Sequence, residues 1–237
     1  MTTIIIDIET VPSQLPGALD AIRGNIKPPG TLKKAESIAA WVKDEREFAV
    51  AEAHRKQSLD GGLAGEIISI AILAPDLEGD AGWVRCRAQG ESEAALLEDA
   101  TTAVMQRIDR AACTLAEGRH AAQDPYFVAH NAAFDLPFIW RRCIVNGVRL
   151  PFRFPRPSAR EGKDFACTMA QWAGYGGRVS LDALCRALGI ASPKDGIDGS
   201  QVYDAWLAGR YEEIAAYNLR DVLATAQVWH RLQGGAA

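Results

Sequence analysis

The first segment of the chain alternates with a two-residue period, which predicts a β-strand with both faces buried. Between Thr3 and Glu9, one face would carry only isoleucines. The opposite face would carry a single isoleucine together with the acidic side chains of Asp7 and Glu9. Apolar residues on both faces are typical of a central strand in a sheet. The pattern therefore predicts two carboxylates on the same face of a central strand.

The following segments predict a strand pair, a long helix and another strand. Glu66–Leu73 and 83–88 flank a glycine-containing turn, which is typical of a β-hairpin. Apolar spacing predicts an amphipathic helix over Glu91–Arg110, followed by a strand over Tyr126–His130. Further helices are predicted over residues 33–58, 136–146, 180–188 and 211–232. This order predicts an α/β fold, a mixed sheet of three antiparallel strands and then parallel strands, flanked by helices.

Length and composition are typical of a globular protein of one large domain. We expect the 237 residues to form a single domain, 1–237, with a largely helical insertion at about 12–65. The longest apolar run, Ile67 to Ala74, is much shorter than the ~20 residues of a membrane span. The five cysteines are widely spaced and form no CxxC pair. This spacing predicts reduced thiols in a cytoplasmic protein rather than disulfides or a zinc site.

The net charge of −4 argues against a protein that binds nucleic acid through overall positive charge. It is compatible with an enzyme whose acidic site binds cations. The segment from Arg141 to Asp164 is locally basic, with seven lysines and arginines against two acidic residues. It could hold a polyanionic substrate or form a solvated loop, and its charge alone favours the loop.

Each acidic position has an ordinary explanation when it is taken alone. Asp7 and Glu9 could be a chance pair, although unpaired buried carboxylates are costly and their strand contains no lysine or arginine. A metal cation is the simplest partner for them. Asp135 could simply cap the predicted helix that begins at residue 136. Asp221 and Tyr217, four residues apart, could share the boundary of an apolar helix face.

In combination, these residues resemble the DEDD superfamily of exonucleases, in its DEDDy branch. Asp7-Ile8-Glu9-Thr10 resembles the first motif, His130-Asn131-x-x-Phe134-Asp135 the second, and Tyr217-x-x-x-Asp221 the third. The sister branch has a histidine where this chain has Ala216. More narrowly, the chain is similar to predicted 3'→5' exonucleases related to the proofreading domain of family-B DNA polymerases, many of them from phages and bacteria. This resemblance extends over nearly the whole chain.

The resemblance implies a ribonuclease H-like fold and a metal-dependent 3'→5' exodeoxyribonuclease that prefers single-stranded DNA and releases nucleoside monophosphates. Two Mg²⁺ or Mn²⁺ ions would be bound by four carboxylates, with Asp7 bridging both ions. Tyr217 would orient the attacking water, and Asp135 would support the second ion. The implied metal ligands are Asp7, Glu9, Asp135 and Asp221, and the implied substrate contacts are Thr10, Asn131 and Phe134.

Two alternatives remain open at this stage. An exoribonuclease would use the same carboxylates, and no residue of the sequence decides between DNA and RNA. A non-catalytic nucleic-acid-binding module would be favoured by the loss of an acidic residue, but all four are present. The expected partners are 3' ends of single-stranded DNA, with RNA as the alternative, and a separate polymerase or other replication proteins. The expected location is the cytoplasm of a bacterial or phage-infected cell, without membrane association.

Overall fold

A mixed β-sheet lies at the centre of the fold. The computed structural model describes residues 1–114, 124–174 and 176–235, and within these ranges the sheet has five strands in the order β3-β2-β1-β4-β5. The strands are β1 (Thr2–Val11), β2 (Glu66–Leu73), β3 (Trp83–Cys86), β4 (Pro125–Ala129) and β5 (Phe165–Cys167).

The strand directions confirm the predicted ribonuclease H-like arrangement. The central strand β1 pairs antiparallel with β2 and parallel with β4, while β2–β3 is an antiparallel pair and β4–β5 a parallel pair. In the β1–β2 register, Asp7 lies opposite Ala71 and Glu9 opposite Ser69. The prediction of a central first strand is therefore confirmed, and the two acids lie in the middle of the sheet.

Helices cover both faces of this sheet. Those of the described residues are α1 (Ala18–Asn25), α2 (Ala35–Asp44), α3 (Arg46–Arg55), α4 (Glu93–Thr114), α5 (Ala132–Val145), α6 (Thr168–Ala173), α7 (Leu181–Leu188), α8 (Val202–Leu207) and α9 (Tyr211–Leu232), with a 3₁₀ helix at Lys56–Leu59. None of the helices in these described ranges combines the length and the apolar character needed to cross a bilayer.

The alternation of β1 separates two layers of the core. Ile4, Ile6 and Ile8 pack with apolar residues of α4 and α5, whereas Ile5 packs with Val222 of α9 on the opposite face. Because side chains alternate along a strand, Asp7 and Glu9 project on the same side as Ile5. The acidic pair therefore faces the long C-terminal helix α9.

Some predicted boundaries were wrong. The single helical segment predicted over residues 33–58 is divided into α2, α3 and the 3₁₀ helix, and α1, α6, α8 and β5 were not predicted. Helix α5 begins at Ala132, four residues before the predicted start, so Asp135 lies in its first turn and Asn131 is the N-cap. Pro137 lies inside the helix, although proline is most common in a first turn.

Candidate metal centre

Three carboxylates from two elements meet where β1 faces α9. Ligand oxygens of Asp7, Glu9 and Asp221 all lie within 4.8 Å of one another. Asp7 and Glu9 are on the same face because they are two residues apart on a strand. Asp221 reaches them because α9 packs against β1 and β2. All three side chains are partly buried.

Asp135 approaches the same group from the first turn of α5. Helix α5 begins three residues after β4, the parallel neighbour of β1, so Asp135 lies beyond the C-terminal end of that strand. The residue is 3 % exposed, and its Oδ2 is one of two buried side-chain polar atoms in the described residues without a hydrogen-bond partner. A buried carboxylate oxygen without a donor is the kind of atom that a cation would satisfy.

Burial raises the pKa of all four carboxyl groups, and repulsion by neighbouring acids raises three of them further. Burial is the largest cause for each, and the negative charge of Asp221 adds to it for Asp7, Glu9 and Asp135. The pKa of Asp135 is raised to about 8 and that of Asp221 to about 6. The charge of Asp135 also raises the pKa of Asp7 and of Glu9, which shows that the four groups share one electrostatic environment.

Tyr217 lies one helical turn before Asp221 on α9. Burial raises the pKa of its hydroxyl far above the usual value, and the charges of Glu9, Asp221 and Asp7 raise it further. The hydroxyl is therefore protonated at neutral pH, and its hydrogen bond lowers the pKa of Asp221. The loop between α7 and α8 passes close by, since a side chain at Gly199 would begin 3.9 Å from the Tyr217 hydroxyl.

The same loop brings one exposed cation to the acidic group. Arg220 donates hydrogen bonds to the backbone carbonyls of Pro193 and Asp195, which fixes the loop to α9 next to Asp221. Lys194 lies between these two carbonyls in the chain, and its charge, like that of Arg220, lowers the pKa of Asp221. The sequence-based prediction did not include Lys194 among the site residues, because its proximity depends on how the loop folds back.

Asn218 is a second residue that the sequence-based prediction missed. Its side chain is fully buried, and Nδ2 donates to Oδ2 of Asp7 at 2.5 Å. On this part of α9 the structure buries Ile214 and Asn218, whereas Ala215 and Leu219 are only partly buried. A polar residue four positions after Ile214, on the buried side of a helix, is the signal that could have identified it.

The three predicted substrate contacts differ in their surroundings. The Thr10 hydroxyl donates to the carbonyl of Ser58 at 2.7 Å, so Thr10 ties β1 to the segment that follows α3. Asn131 is exposed at the N-cap of α5, and its side chain does not form a capping hydrogen bond with the helix. Phe134 is partly buried and packs against Phe138, with ring centroids 5.3 Å apart, at the edge of the main core.

The basic segment after Arg141 does not surround the carboxylates. Arg142 is buried in an ion pair with Glu93, and Arg153 pairs with Asp164. A cavity of about 430 Å³ lies next to this segment, and its lining includes the first residues of β4 together with Met1. This cavity is at the N-terminal end of the parallel strands, whereas Asp135 lies beyond their C-terminal end. Its lining includes Arg153, Arg156 and Lys163.

The donor atoms of the acidic group fit a hard divalent cation. Carboxylate oxygens are preferred by Mg²⁺ and Mn²⁺, whereas zinc sites usually contain histidine or cysteine. In the described parts of the chain, the potential metal ligands that converge are Asp7, Glu9 and Asp221, without histidine or cysteine. The unpaired Oδ2 of Asp135 adds a fourth oxygen donor of the same kind.

Comparison with known protein families identifies a match. A family model described as a predicted 3'-5' exonuclease related to the exonuclease domain of PolB matches residues 115–236, just over half of the chain. The matched range contains Asp135, Tyr217 and Asp221 but not β1, which carries Asp7 and Glu9. Among the curated proteins, none matches the chain.

Proposed function

Because the chain belongs to the family of predicted 3'-5' exonucleases related to the exonuclease domain of PolB, we propose that it is a two-metal exodeoxyribonuclease. It removes nucleoside monophosphates from the 3' end of DNA, preferably single-stranded. The observation that carries this proposal is the convergence of Asp7, Glu9 and Asp221 within 4.8 Å beside the unpaired oxygen of Asp135. Four clustered acids that are partly or fully buried, and that form no ion pair within the described residues, are poorly suited to a purely structural role.

The four carboxylates have the task of binding two Mg²⁺ or Mn²⁺ ions. When bound, such a pair activates a water molecule and offsets the charge that develops on the departing oxygen. Asp7 would be the ligand shared by the two ions, and Glu9 and Asp221 would complete the site near the attacking water. Asp135, on α5, would support the second ion. Mutual repulsion among the four charges favours the cation-bound state over the empty one.

The Tyr217 hydroxyl positions the attacking water rather than removing its proton. Its raised pKa keeps the hydroxyl protonated at neutral pH, so it is a hydrogen-bond donor and a poor base. Its position on α9 is fixed by the turn that also carries Asp221. A water molecule held between this hydroxyl and the acidic group would be oriented towards the phosphate.

Substrate contacts come from residues around the rim of the site. Asn131 is exposed at the start of α5 and is placed to contact the terminal nucleotide. Lys194 is exposed and is placed to attract a phosphate. Thr10 contributes indirectly, because its hydroxyl donates to the Ser58 carbonyl and so fixes the segment at Ser58 beside the site. Phe134 supports the floor of the site through its packing on Phe138.

A digest of end-labelled oligonucleotides tests activity, polarity and metal requirement together. With Mg²⁺ or Mn²⁺, a 5'-labelled single strand should shorten progressively, whereas a 3'-labelled strand should release its label as a mononucleotide at once. A chelator should stop both reactions. A matched RNA strand in parallel shows whether the enzyme is instead an exoribonuclease. Release of mononucleotides from the 5' end, or undiminished digestion with chelator, would contradict the proposal.

A further inference from the structure

The side chain of Asn218 connects two strands to the proposed metal centre. Its Nδ2 donates to Oδ2 of Asp7 at 2.5 Å, and its Oδ1 accepts from the Ser69 hydroxyl at 2.9 Å. Asn218 and Ser69 are both fully buried. Ser69 lies on β2 directly opposite Glu9. The three side chains therefore form a buried hydrogen-bonded row from β2 through α9 to β1.

The two hydrogen bonds fix the orientation of the amide. An asparagine side chain has a donor end and an acceptor end, and only the donor end interacts favourably with a carboxylate. Rotation of the amide by half a turn would direct its oxygen at the Asp7 carboxylate. The Ser69 hydroxyl stabilises the observed orientation by donating to the oxygen, so the amide nitrogen remains directed at Asp7.

We propose that Asn218, oriented by Ser69, is a positioning residue that fixes the Asp7 carboxylate for divalent-cation binding. The inference rests on the proposed function, because it assigns a role to a neighbour of a proposed metal ligand. Asp7 is surrounded by the charges of Asp135, Asp221 and Glu9, which would push a freely rotating carboxylate away from the centre. A donor at Oδ2 holds the carboxylate in place against this repulsion.

The chemistry of an amide suits this position better than that of a cation. A lysine or arginine here would neutralise Asp7 and compete with the metal ion for its charge. A neutral donor restrains one oxygen and keeps the negative charge available. Residues that hydrogen-bond to metal ligands commonly orient them in this way, and their loss typically costs about 10–100-fold in metal affinity or activity.

The test is Mn²⁺ binding to the complete chain by calorimetry, together with the Mg²⁺ concentration that gives the half-maximal nuclease rate. Asn218→Leu keeps the number and branching of the side-chain heavy atoms and removes the donor, and we expect Mn²⁺ binding to weaken by about 10–100-fold. Ser69→Ala leaves the donor but removes the group that orients it, so a smaller loss in the same direction is expected. Ser69→Ala is also the milder variant if Asn218→Leu folds poorly.

A double variant shows whether Ser69 acts through Asn218. If it does, Ser69→Ala combined with Asn218→Leu should bind Mn²⁺ no more weakly than Asn218→Leu alone, because the second change removes the pathway of the first. Thr225→Ala is the matched control. It removes another polar side chain of α9 that is only 2 % exposed, and it should leave Mn²⁺ binding unchanged even if it lowers the melting temperature.

The outcomes separate this inference from the proposed function. If the parent protein binds Mn²⁺ and folded Asn218→Leu binds it equally well, the positioning role is overturned while the metal centre stands. If the losses of Ser69→Ala and Asn218→Leu are additive, the orienting role of Ser69 is overturned. If the parent protein binds no divalent cation, the proposed function fails, and the positioning role fails with it.

Discussion

Two sets of buried acids in this protein have opposite surroundings. At the side of the sheet near β2, β3 and α4, three acids form ion pairs with buried arginines: Glu66 with Arg87, Asp80 with Arg107 and Glu93 with Arg142, at distances of 2.5, 2.7 and 2.5 Å. At the proposed metal centre, four acids converge, and none of them forms an ion pair with an arginine in the part of the chain that the structure describes. The protein therefore contains arginine-neutralised acids and cation-deficient acids only a few strands apart.

The pKa values show what this difference means physically. Burial would raise the pKa of Asp80, but hydrogen bonds from Arg107 and the backbone hold it below its ordinary value. Asp135 is also buried, yet it has no cation beside it and its pKa is raised to about 8. Burial alone is therefore a poor guide to the role of an acid. An acid with a buried arginine stabilises the fold, and one without a partner is available to a metal ion.

The largest expected effect is on activity, from Asp7→Asn. This change removes one charge from the centre and preserves its shape, so nuclease activity should fall to background. Unfolding of the metal-free variant should require the same or a higher temperature than that of the parent, because one repelling charge is gone. Asp109→Asn, at an exposed position of α4, is the control that should retain full activity. Undiminished digestion by Asp7→Asn would remove Asp7 from the centre.

Replacing a carboxylate by its amide among the arginine-paired acids should lower the stability of the fold. Glu93→Gln leaves the Arg142 guanidinium buried without a counter-charge, and breaking a buried pair in this way costs about 3–5 kcal/mol of stability. Chemical denaturation measures this loss. Glu98→Gln, an exposed position of the same helix, should change stability by less than about 0.5 kcal/mol. A stable Glu93→Gln variant would mean that the two sets of acids do not differ as described.

Binding of divalent cations should offset the free-energy cost of burying the four unpaired acids. Because the pKa of Asp135 is raised from 3.8 to about 8, the metal-free fold holds a proton that the unfolded chain releases. The stabilisation from this bound proton is fully present below the pKa that Asp135 has in the unfolded chain, and it is lost as the pH rises towards about 8. Mg²⁺ at a fixed concentration, 100 times its Kd at alkaline pH, should add about 2.7 kcal/mol there, and the thermal shift should be smaller at acidic pH, where protons compete for the carboxylates. A shift independent of pH would contradict this account.

The sequence predicted the sheet well because its signals are local. The alternation in β1 identified both the central position of that strand and the common face of Asp7 and Glu9. The α9 boundaries were also predicted correctly, since a long amphipathic pattern defines them. The short elements α6, α8 and β5 were missed because three to six residues provide too little periodicity.

The sequence predicted only those site residues that belong to recognisable motifs. Asp7, Glu9 and Asp221 were named from the sequence, and the structure brings them within 4.8 Å. Asn218 and Lys194 were not named from the sequence. Their proximity to the acids depends on the rotation of α9 about its axis and on the path of the loop that Arg220 fixes. The charge of the basic segment favoured a solvated loop over a substrate-binding surface, and its cations Arg153, Arg156 and Lys163 do lie away from the carboxylates.

Tyr217→Phe examines the hydrogen-bond donor next to the unpaired acids. Loss of the hydroxyl removes one water-positioning hydrogen bond worth up to about 1.5 kcal/mol, so kcat should fall by about tenfold. Mn²⁺ binding should change much less than kcat, because the hydroxyl is not a proposed ligand and only donates a hydrogen bond to Asp221. Calorimetry and single-turnover digestion measure the two quantities. Loss of Mn²⁺ binding in this variant would contradict a water-positioning role for Tyr217.

The smallest expected effect comes from Lys194, the exposed cation that faces Asp221. If Lys194 neutralised Asp221 as Arg142 neutralises Glu93, the contrast between the two sets of acids would fail. An exposed charge contributes about 1 kcal/mol or less, so Lys194→Ala should change the melting temperature by no more than about 4 °C. If Lys194 attracts the substrate phosphate, its loss should raise KM by about fivefold or less with little change in kcat, since about 1 kcal/mol corresponds to that factor.

The salt dependence of this KM effect provides the decisive comparison for Lys194. An exposed lysine acts on a phosphate through screened electrostatics, so the difference between parent and Lys194→Ala should shrink as the ionic strength rises. Lys34→Ala removes another exposed lysine, at the N-cap of α2, and serves as the matched control. A large loss of stability in Lys194→Ala would show that this lysine balances the acidic centre, and the four acids would then not be cation-deficient.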